Sequence, residues 1–150
     1  MTRRPLLLSA AALLALTGGL ALSGCSAVDS LVHKQATNTF DDAKAFHADA
    51  EVDAAWVPDD ATAITVRTST VEDAADAVIL LQSAAPLPDD CIETARTSAP
   101  AWSLDDAPSA YEAKTVFVCA DWSVIPGADG WLGWTPNSDD ERQAAQEQRG

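Results

Sequence analysis

Basic charge is what this sequence has least of, with nine Lys and Arg against 23 Asp and Glu and a formal net charge of −14. A body so acidic repels phosphate backbones, which excludes nucleic acid as a partner. An anionic membrane surface repels it too, so any attachment to a membrane must come from something other than electrostatics. Catalytic motifs are missing as well: no HExxH, GxSxG, SxxK or P-loop occurs. Ser109 and Tyr111 read only as polar residues in a loop, and His47 has no Ser, Cys or acid motif beside it. With no nucleophile placed next to its base and no recognisable acid pair, the expectation is a protein that is not an enzyme. Metal ligation is equally short of residues. There is no CxxC spacing, and His33 and His47 lie far upstream of the cysteines Cys91 and Cys119. The acidic pairs Asp41-Asp42, Asp59-Asp60, Asp89-Asp90, Asp105-Asp106 and Asp139-Asp140 never form the alternating D-x-[DN]-x-[DN]-G pattern that wraps calcium. Most sit beside proline or at a helix start, where Asp caps backbone N–H groups. No cofactor is expected.

What is present begins at the N-terminus. Arg3 and Arg4 precede an apolar run from Leu6 to Leu22, the layout of an export signal. A spanning helix needs about 20 apolar residues, so length alone does not separate a cleaved signal from a permanent anchor. The next residues decide: Leu22-Ser23-Gly24-Cys25 resembles the lipobox of bacterial lipoproteins. That resemblance implies a signal peptide over 1–24, a diacylglycerol on the Cys25 thiol, and cleavage that makes Cys25 the first residue of the mature chain. The partner implied is a membrane, reached through the lipid anchor, and the location is the extracytoplasmic face of the cell membrane. Thr2-Arg3-Arg4-Pro5-Leu6-Leu7 also resembles a twin-arginine export motif, so the export route stays open. Loss of the signal removes two of the nine basic side chains and none of the 23 acidic ones.

With Cys25 assigned to lipid, Cys91 and Cys119 remain as a pair. An oxidising exterior lets them form a disulfide, which the chain-entropy picture values at about 3 kcal/mol.

The exported part suffices for one small domain. Residues 25–38 are polar without periodicity and read as a tether. Thr39 caps an expected helix ending near Val52, with Phe40, Ala43, Phe46, His47 and Ala50 near one face. Ala63 to Thr68 alternates as a strand, with Ile64 and Val66 inward. The stretch from Val71 to Ser83 is ambiguous. Ser69 with Glu72 makes a possible capping box, while Ala77 to Ser83 reads as a central strand at the end of a hairpin. Asp89 or Asp90 caps a single helical turn carrying Cys91, Ile92 and Ala95. Thr115 to Ile125 reads as one strand, with Val116, Val118, Trp122 and Val124 on one face and Phe117, Cys119 and Ile125 on the other. Asp129-Gly130 is a strong hairpin signal, and Trp131 to Thr135 returns as the partner strand. Residues 137–150 are polar all round and are expected to be disordered despite a capping box at Ser138 and Glu141. The fold class expected is thus α+β: an antiparallel sheet of about four strands with an N-terminal helix and one disulfide, in a globular domain over 39–136.

The spacing of Trp56-Val57-Pro58, Cys91, Cys119-Ala120-Asp121-Trp122 and Gly130-Trp131-Leu132-Gly133-Trp134-Thr135-Pro136 resembles small lipoproteins of high-GC Gram-positive bacteria. The resemblance runs from Trp56 onward and implies no activity. The candidate binding surface is therefore read from the residues: Trp122, Trp131 and Trp134 gather near one hairpin, and indole faces stack on sugars and on partner side chains. Core packing is the competing use, strongest for Trp122. Trp131 and Trp134 point to opposite faces of a regular strand, so at most one shares the core of Ile64 and Val66, and Trp131 beside the turn is expected to be the exposed one. The function expected is a non-catalytic binding or accessory module at the envelope, with an envelope protein or a glycan as ligand. The alternatives are a small envelope enzyme without a recognisable motif and a subunit of an envelope complex.

Overall fold

Strand-forming residues dominate the chain between positions 62 and 135, and in the computed structural model, which describes residues 34–150, they assemble into one antiparallel sheet. Its strands are β1 (Gln35–Asp42), β2 (Thr62–Ser69), β3 (Ala77–Gln82), β4 (Ile92–Ala95), β5 (Thr115–Cys119), β6 (Trp122–Pro126) and β7 (Gly130–Thr135). They lie in the order β1-β2-β3-β7-β6-β5-β4. Two helices complete the fold: α1 (Ala43–Asp49) and α2 (Asp139–Arg149). The sheet therefore has seven strands, not about four, and among the described residues a strand precedes the first helix.

Both faces of the sheet are covered, which is why its middle reads as continuous apolar sequence. In β3, Ala77, Val78, Ile79 and Leu81 are all buried. One face carries Ile64, Val66, Ile79, Leu81, Trp122 and Val124 under Phe46 of α1 and Trp56. The other carries Val78, Val116, Val118, Ile125, Leu132 and Trp134 under Leu104, Ala110 and Ala145 of α2.

Several sequence expectations hold. Ile64 and Val66 point into the first core at 0% and 2% exposure. β2 and β3 pair as a hairpin, with the Ala77 stretch a strand and not a helix. The Asp129-Gly130 turn joins β6 to β7, which pair from Pro126 opposite Trp131 to Ser123 opposite Trp134.

Others are corrected. The expected helix begins later, because 35–42 pairs with β2 and Asp42, not Thr39, is the cap, accepting from the Ala45 N–H at 2.8 Å. Part of the expected tether is thus strand. The segment after Cys91 is β4, paired with β5, and not a helical turn. Thr115 to Ile125 is two strands: Cys119 pairs with Trp122 across a turn at Ala120, whose φ is 54°. That turn reverses the side-chain phase, because residues flanking a two-residue hairpin loop share a face whereas 119 and 122 of one continuous strand do not. Trp122 and Val124 consequently join Cys119 on the first face, and Ile125 joins Val116 and Val118 on the second. Residues 137–150 are not a disordered tail, since α2 has a complete capping box at Ser138 and Glu141 and buries Ala145.

Cys91 and Cys119 form the disulfide, which ties the start of edge strand β4 to the end of β5. Closing that loop contributes about 3 kcal/mol, so β4 is held covalently as well as by its ladder. The other edge is protected differently: β1 is polar and ends in Asp41 and Asp42, which discourages pairing with foreign strands.

Gly133 in β7 marks a close approach. A Cβ there would overlap Cζ2 of Trp56 and stand 2.9 Å from its Cη2, and Trp56 is itself buried at 3% exposure. Gly133→Ala is expected to lower stability by about 1–3 kcal/mol. Urea unfolding checks this, and an unchanged midpoint would mean that Trp56 can be moved aside at no cost.

Candidate functional site

The three tryptophans singled out by sequence are not one surface. Trp122 is 4% and Trp134 1% exposed, on opposite faces of the sheet. The Trp122 indole N–H donates to the Asp53 carbonyl at 2.8 Å and that of Trp134 to Ser98 Oγ at 2.8 Å. Each is core, with its polar handle already used. Trp131 is half-buried, packs edge-on against Phe117 at 6.1 Å between ring centroids, and donates to the Ala85 carbonyl at 3.1 Å. Trp131 is thus less covered than Trp134, as the turn beside it suggests, but it is bonded and braced. It borders a wide depression with Asp60, Ser83 and Pro86. There Asp60 acts as a loop cap: it accepts from Ser83 Oγ at 2.5 Å and from the Ala84 and Ala85 N–H groups, and these bonds, that of Ser83 foremost, hold its pKa below the ordinary carboxylate value. Cys25 lies outside the described residues.

A buried carboxylate is the feature that sequence reading passed over. Glu141, in the first turn of α2, is 0% exposed. Its Oε1 accepts from the backbone N–H groups of Thr97 and Ser98, both at 2.7 Å. Its Oε2 accepts from Ser98 Oγ at 2.7 Å and Ser123 Oγ at 2.5 Å. Burial opposes ionisation here, but the hydrogen bonds from Ser123, Thr97 and Ser98 outweigh it and hold the pKa below the ordinary glutamate value. A serine beside a carboxylate invites comparison with a nucleophile and its base. The arrangement argues otherwise, because Ser123 is also 0% exposed, no substrate can reach it, and a carboxylate held ionised is a weak proton acceptor. The cluster fastens α2 and the chain after β4 to the sheet. Among the described residues, no group of three or more His, Cys, Asp or Glu is placed to hold a metal ion.

The connection from β4 to β5, residues 96–114, is the other feature that sequence periodicity does not mark. It is long for a loop, and loops of more than about 12–15 residues are usually functional or disordered. This one is ordered by pins at several points. Arg96 donates through Nε to the Ala113 carbonyl at 2.9 Å and through Nη1 to the Ser98 carbonyl at 2.7 Å, closing the loop at its base. Arg67 of β2 donates to the Ser103 carbonyl at 2.9 Å near its far end. Leu104 and Ala110 are buried on the second face of the sheet, and a single 3₁₀ turn spans Ala110–Glu112.

Folded in this way, the connection forms a groove of about 330 Å³ between Pro100 and Pro108, floored by Leu104, Ala110 and Leu132 and bearing Trp102, Ser103, Ser109 and Tyr111. None of its lining residues is charged, in a chain that is 21% charged. Tyr111 is 74% exposed, and its ring rests on the Arg96 guanidinium, 5.7 Å from the centroid. Trp102 is half-buried, and its indole N–H, unlike those of Trp122, Trp131 and Trp134, has no partner among the described residues yet is not buried. Two aromatic rings with unused polar handles therefore share one uncharged groove. A periodicity search cannot find them, since the loop has no period; only its length was a signal.

No helix among the described residues is long and apolar enough to cross a membrane. No family model matches the chain, and no curated protein or solved structure is significantly similar to it.

Proposed function

We propose that this chain is an exported bacterial lipoprotein, held at the extracytoplasmic face of the cell membrane by a lipid on Cys25, whose domain is a non-catalytic binding module. The observation that carries the anchor is the coincidence of Arg3 and Arg4, the apolar run and Leu22-Ser23-Gly24-Cys25 in one N-terminal stretch. The Cys91–Cys119 disulfide supports the same compartment, because such bonds persist outside the reducing cytosol. The acidity of the body supports it too, since charge would not hold this domain on an anionic surface and a lipid would.

The binding role rests on the groove of Trp102 and Tyr111. It is preformed by the Arg96 and Arg67 pins, and two aromatic side chains with open donors line it. Ligand pockets combine apolar walls with placed polar groups, and this groove has both, its lining somewhat more polar than apolar. The burial of both Ser123 and Glu141, at 0% exposure, favours a binding module over the envelope enzyme.

Replacing Cys25 by serine tests the anchor, because only a thiol forms the thioether. Wild-type protein in the membrane fraction is expected to carry the mass of a diacylglycerol, and Cys25→Ser to carry none and leave that fraction. A lipid mass on the variant, or its absence from wild type, would overturn the reading.

A further inference from the structure

We infer that the groove between Pro100 and Pro108 takes an uncharged pyranose glycan, with Trp102 and Tyr111 as its stacking surfaces. This rests on the binding-module reading above and deepens it. Charge comes first. In an acidic chain a groove without one charged lining residue gives neither an ion pair to an anionic ligand nor a carboxylate to a cationic one. The lining therefore favours a neutral ligand, since the nearby Arg96 guanidinium is covered by the Tyr111 ring and engaged by two carbonyls. A neutral, purely apolar ligand fits poorly, because the Trp102 N–H, the Tyr111 hydroxyl and the side chains of Ser103 and Ser109 all stand around the groove. A polar group buried under such a ligand without a partner costs about 1–3 kcal/mol.

What remains is a neutral molecule with both flat C–H faces and hydroxyls at its edges. A pyranose ring is that molecule, and an all-equatorial one presents C–H bonds on both faces while its hydroxyls point outward. Stacking on an aromatic ring uses the faces, and the indole N–H and hydroxyls meet the edges. The volume, about 330 Å³, lies at the small end of ligand pockets, suited to one or two sugar rings of a longer chain whose ends run out over the open rim.

Preorganisation adds to the fit. Arg96 is fixed through the Ala113 and Ser98 carbonyls, so the guanidinium under Tyr111 stays in place and the ring waits in its binding position. Less side-chain freedom is then lost when a ligand arrives.

The test uses the full lipidated chain, its lipid verified by mass, in a detergent whose headgroup is not a sugar. Cellotetraose and tetra-N-acetylchitotetraose, both uncharged, are titrated by calorimetry with tryptophan fluorescence in parallel. Saturable binding with a Kd of about 1 mM or tighter is expected for at least one of them. Tyr111→Ala, whose exposed ring leaves the fold intact, is expected to weaken it about tenfold, and Trp102→Ala at least as much. Trp131→Ala, on the other face, is expected to leave it unchanged. The inference fails if neither sugar binds at about 10 mM, or if affinity survives in Tyr111→Ala. It fails equally if an oligoproline peptide binds the groove and the sugars do not, since aromatic grooves also seat such peptides. Because the protein is lipidated by measurement, any of these failures leaves the anchor standing.

Discussion

Trp134→Ala is expected to cost the fold about 3–5 kcal/mol, the range for emptying a buried tryptophan site. Trp134 is 1% exposed and the largest fully buried side chain among the described residues. It lies in the second core with Val78, Leu132 and Ile125, and its N–H is spent on Ser98 Oγ, which also donates to Glu141. Truncation therefore opens a cavity and removes a bond from the carboxylate cluster as well. Small domains hold only about 5–15 kcal/mol in total, so the variant should be close to unfolding at physiological temperature. Trp131→Ala is the control. Half-buried against Phe117 and bonded to Ala85, it should lose less, about 1–2 kcal/mol. Thermal and urea unfolding of the two variants decide the matter, and equal losses would mean that the hairpin beside Trp131 is as deep in the core as Trp134.

This contrast shows what alternation alone can and cannot carry. The spacing of Trp131 and Trp134 does put them on opposite faces. What it cannot say is that the second face is covered, because the cover is made of the 96–114 connection and α2, neither of which has an apolar period. The same gap explains the miscounted sheet. β2 was legible from its alternation and the Asp129-Gly130 hairpin from its turn chemistry, whereas β3 showed only as a short apolar run that left strand and helix open. β1 was not, since its sequence QATNTFDD is polar and its strand geometry comes from pairing with β2 along its whole length. β4 was hidden likewise, a short edge strand held by β5 and by the disulfide. The turn between β5 and β6 carries no Gly or Asn; Ala120 takes the left-handed conformation at φ 54° and so gives no sequence signal. The candidate site shares this history. Its two rings, Trp102 and Tyr111, come together only because Arg67, Arg96 and Leu104 pin a loop whose pattern predicts nothing.

Glu141→Ala is expected to be as damaging as the loss of Trp134, but chiefly through hydrogen bonds and not through the cavity it leaves. The Thr97 and Ser98 N–H groups and the Ser98 and Ser123 hydroxyls lose their acceptor, and the Ser123 hydroxyl loses it in the buried interior. Each stranded group costs about 1–3 kcal/mol, and even with some rearrangement the total should be about 3–5 kcal/mol. It is also why a helix of polar sequence docks at all: α2 buries one alanine and one carboxylate, and the carboxylate is the better anchor. Sequence reading counted Glu141 only as a capping residue, because the donors it meets lie far away in the chain.

The charge state adds a pH dependence whose sign is fixed. Hydrogen bonds depress the folded-state pKa of Glu141 below its unfolded value, near 4.5. The stability this group contributes is therefore complete above that value and drains away as the pH falls through the folded pKa. Glu141→Gln separates charge from shape. Its amide oxygen can serve the Thr97 and Ser98 N–H groups, and its NH₂ must face two hydroxyls that can turn to accept, so it should lose less than the alanine variant at about pH 7. As the pH falls below the ordinary glutamate value the wild-type advantage over the glutamine variant should shrink, because the wild type alone must take up a proton there. Urea unfolding of both proteins across that window gives the difference directly. An advantage that stays constant down to the lowest pH would mean that folding leaves the Glu141 pKa unshifted, and one that grows as the pH falls would mean that the carboxyl is neutral in the fold; on either result the account of α2 as a helix held by a buried charge would have to be abandoned.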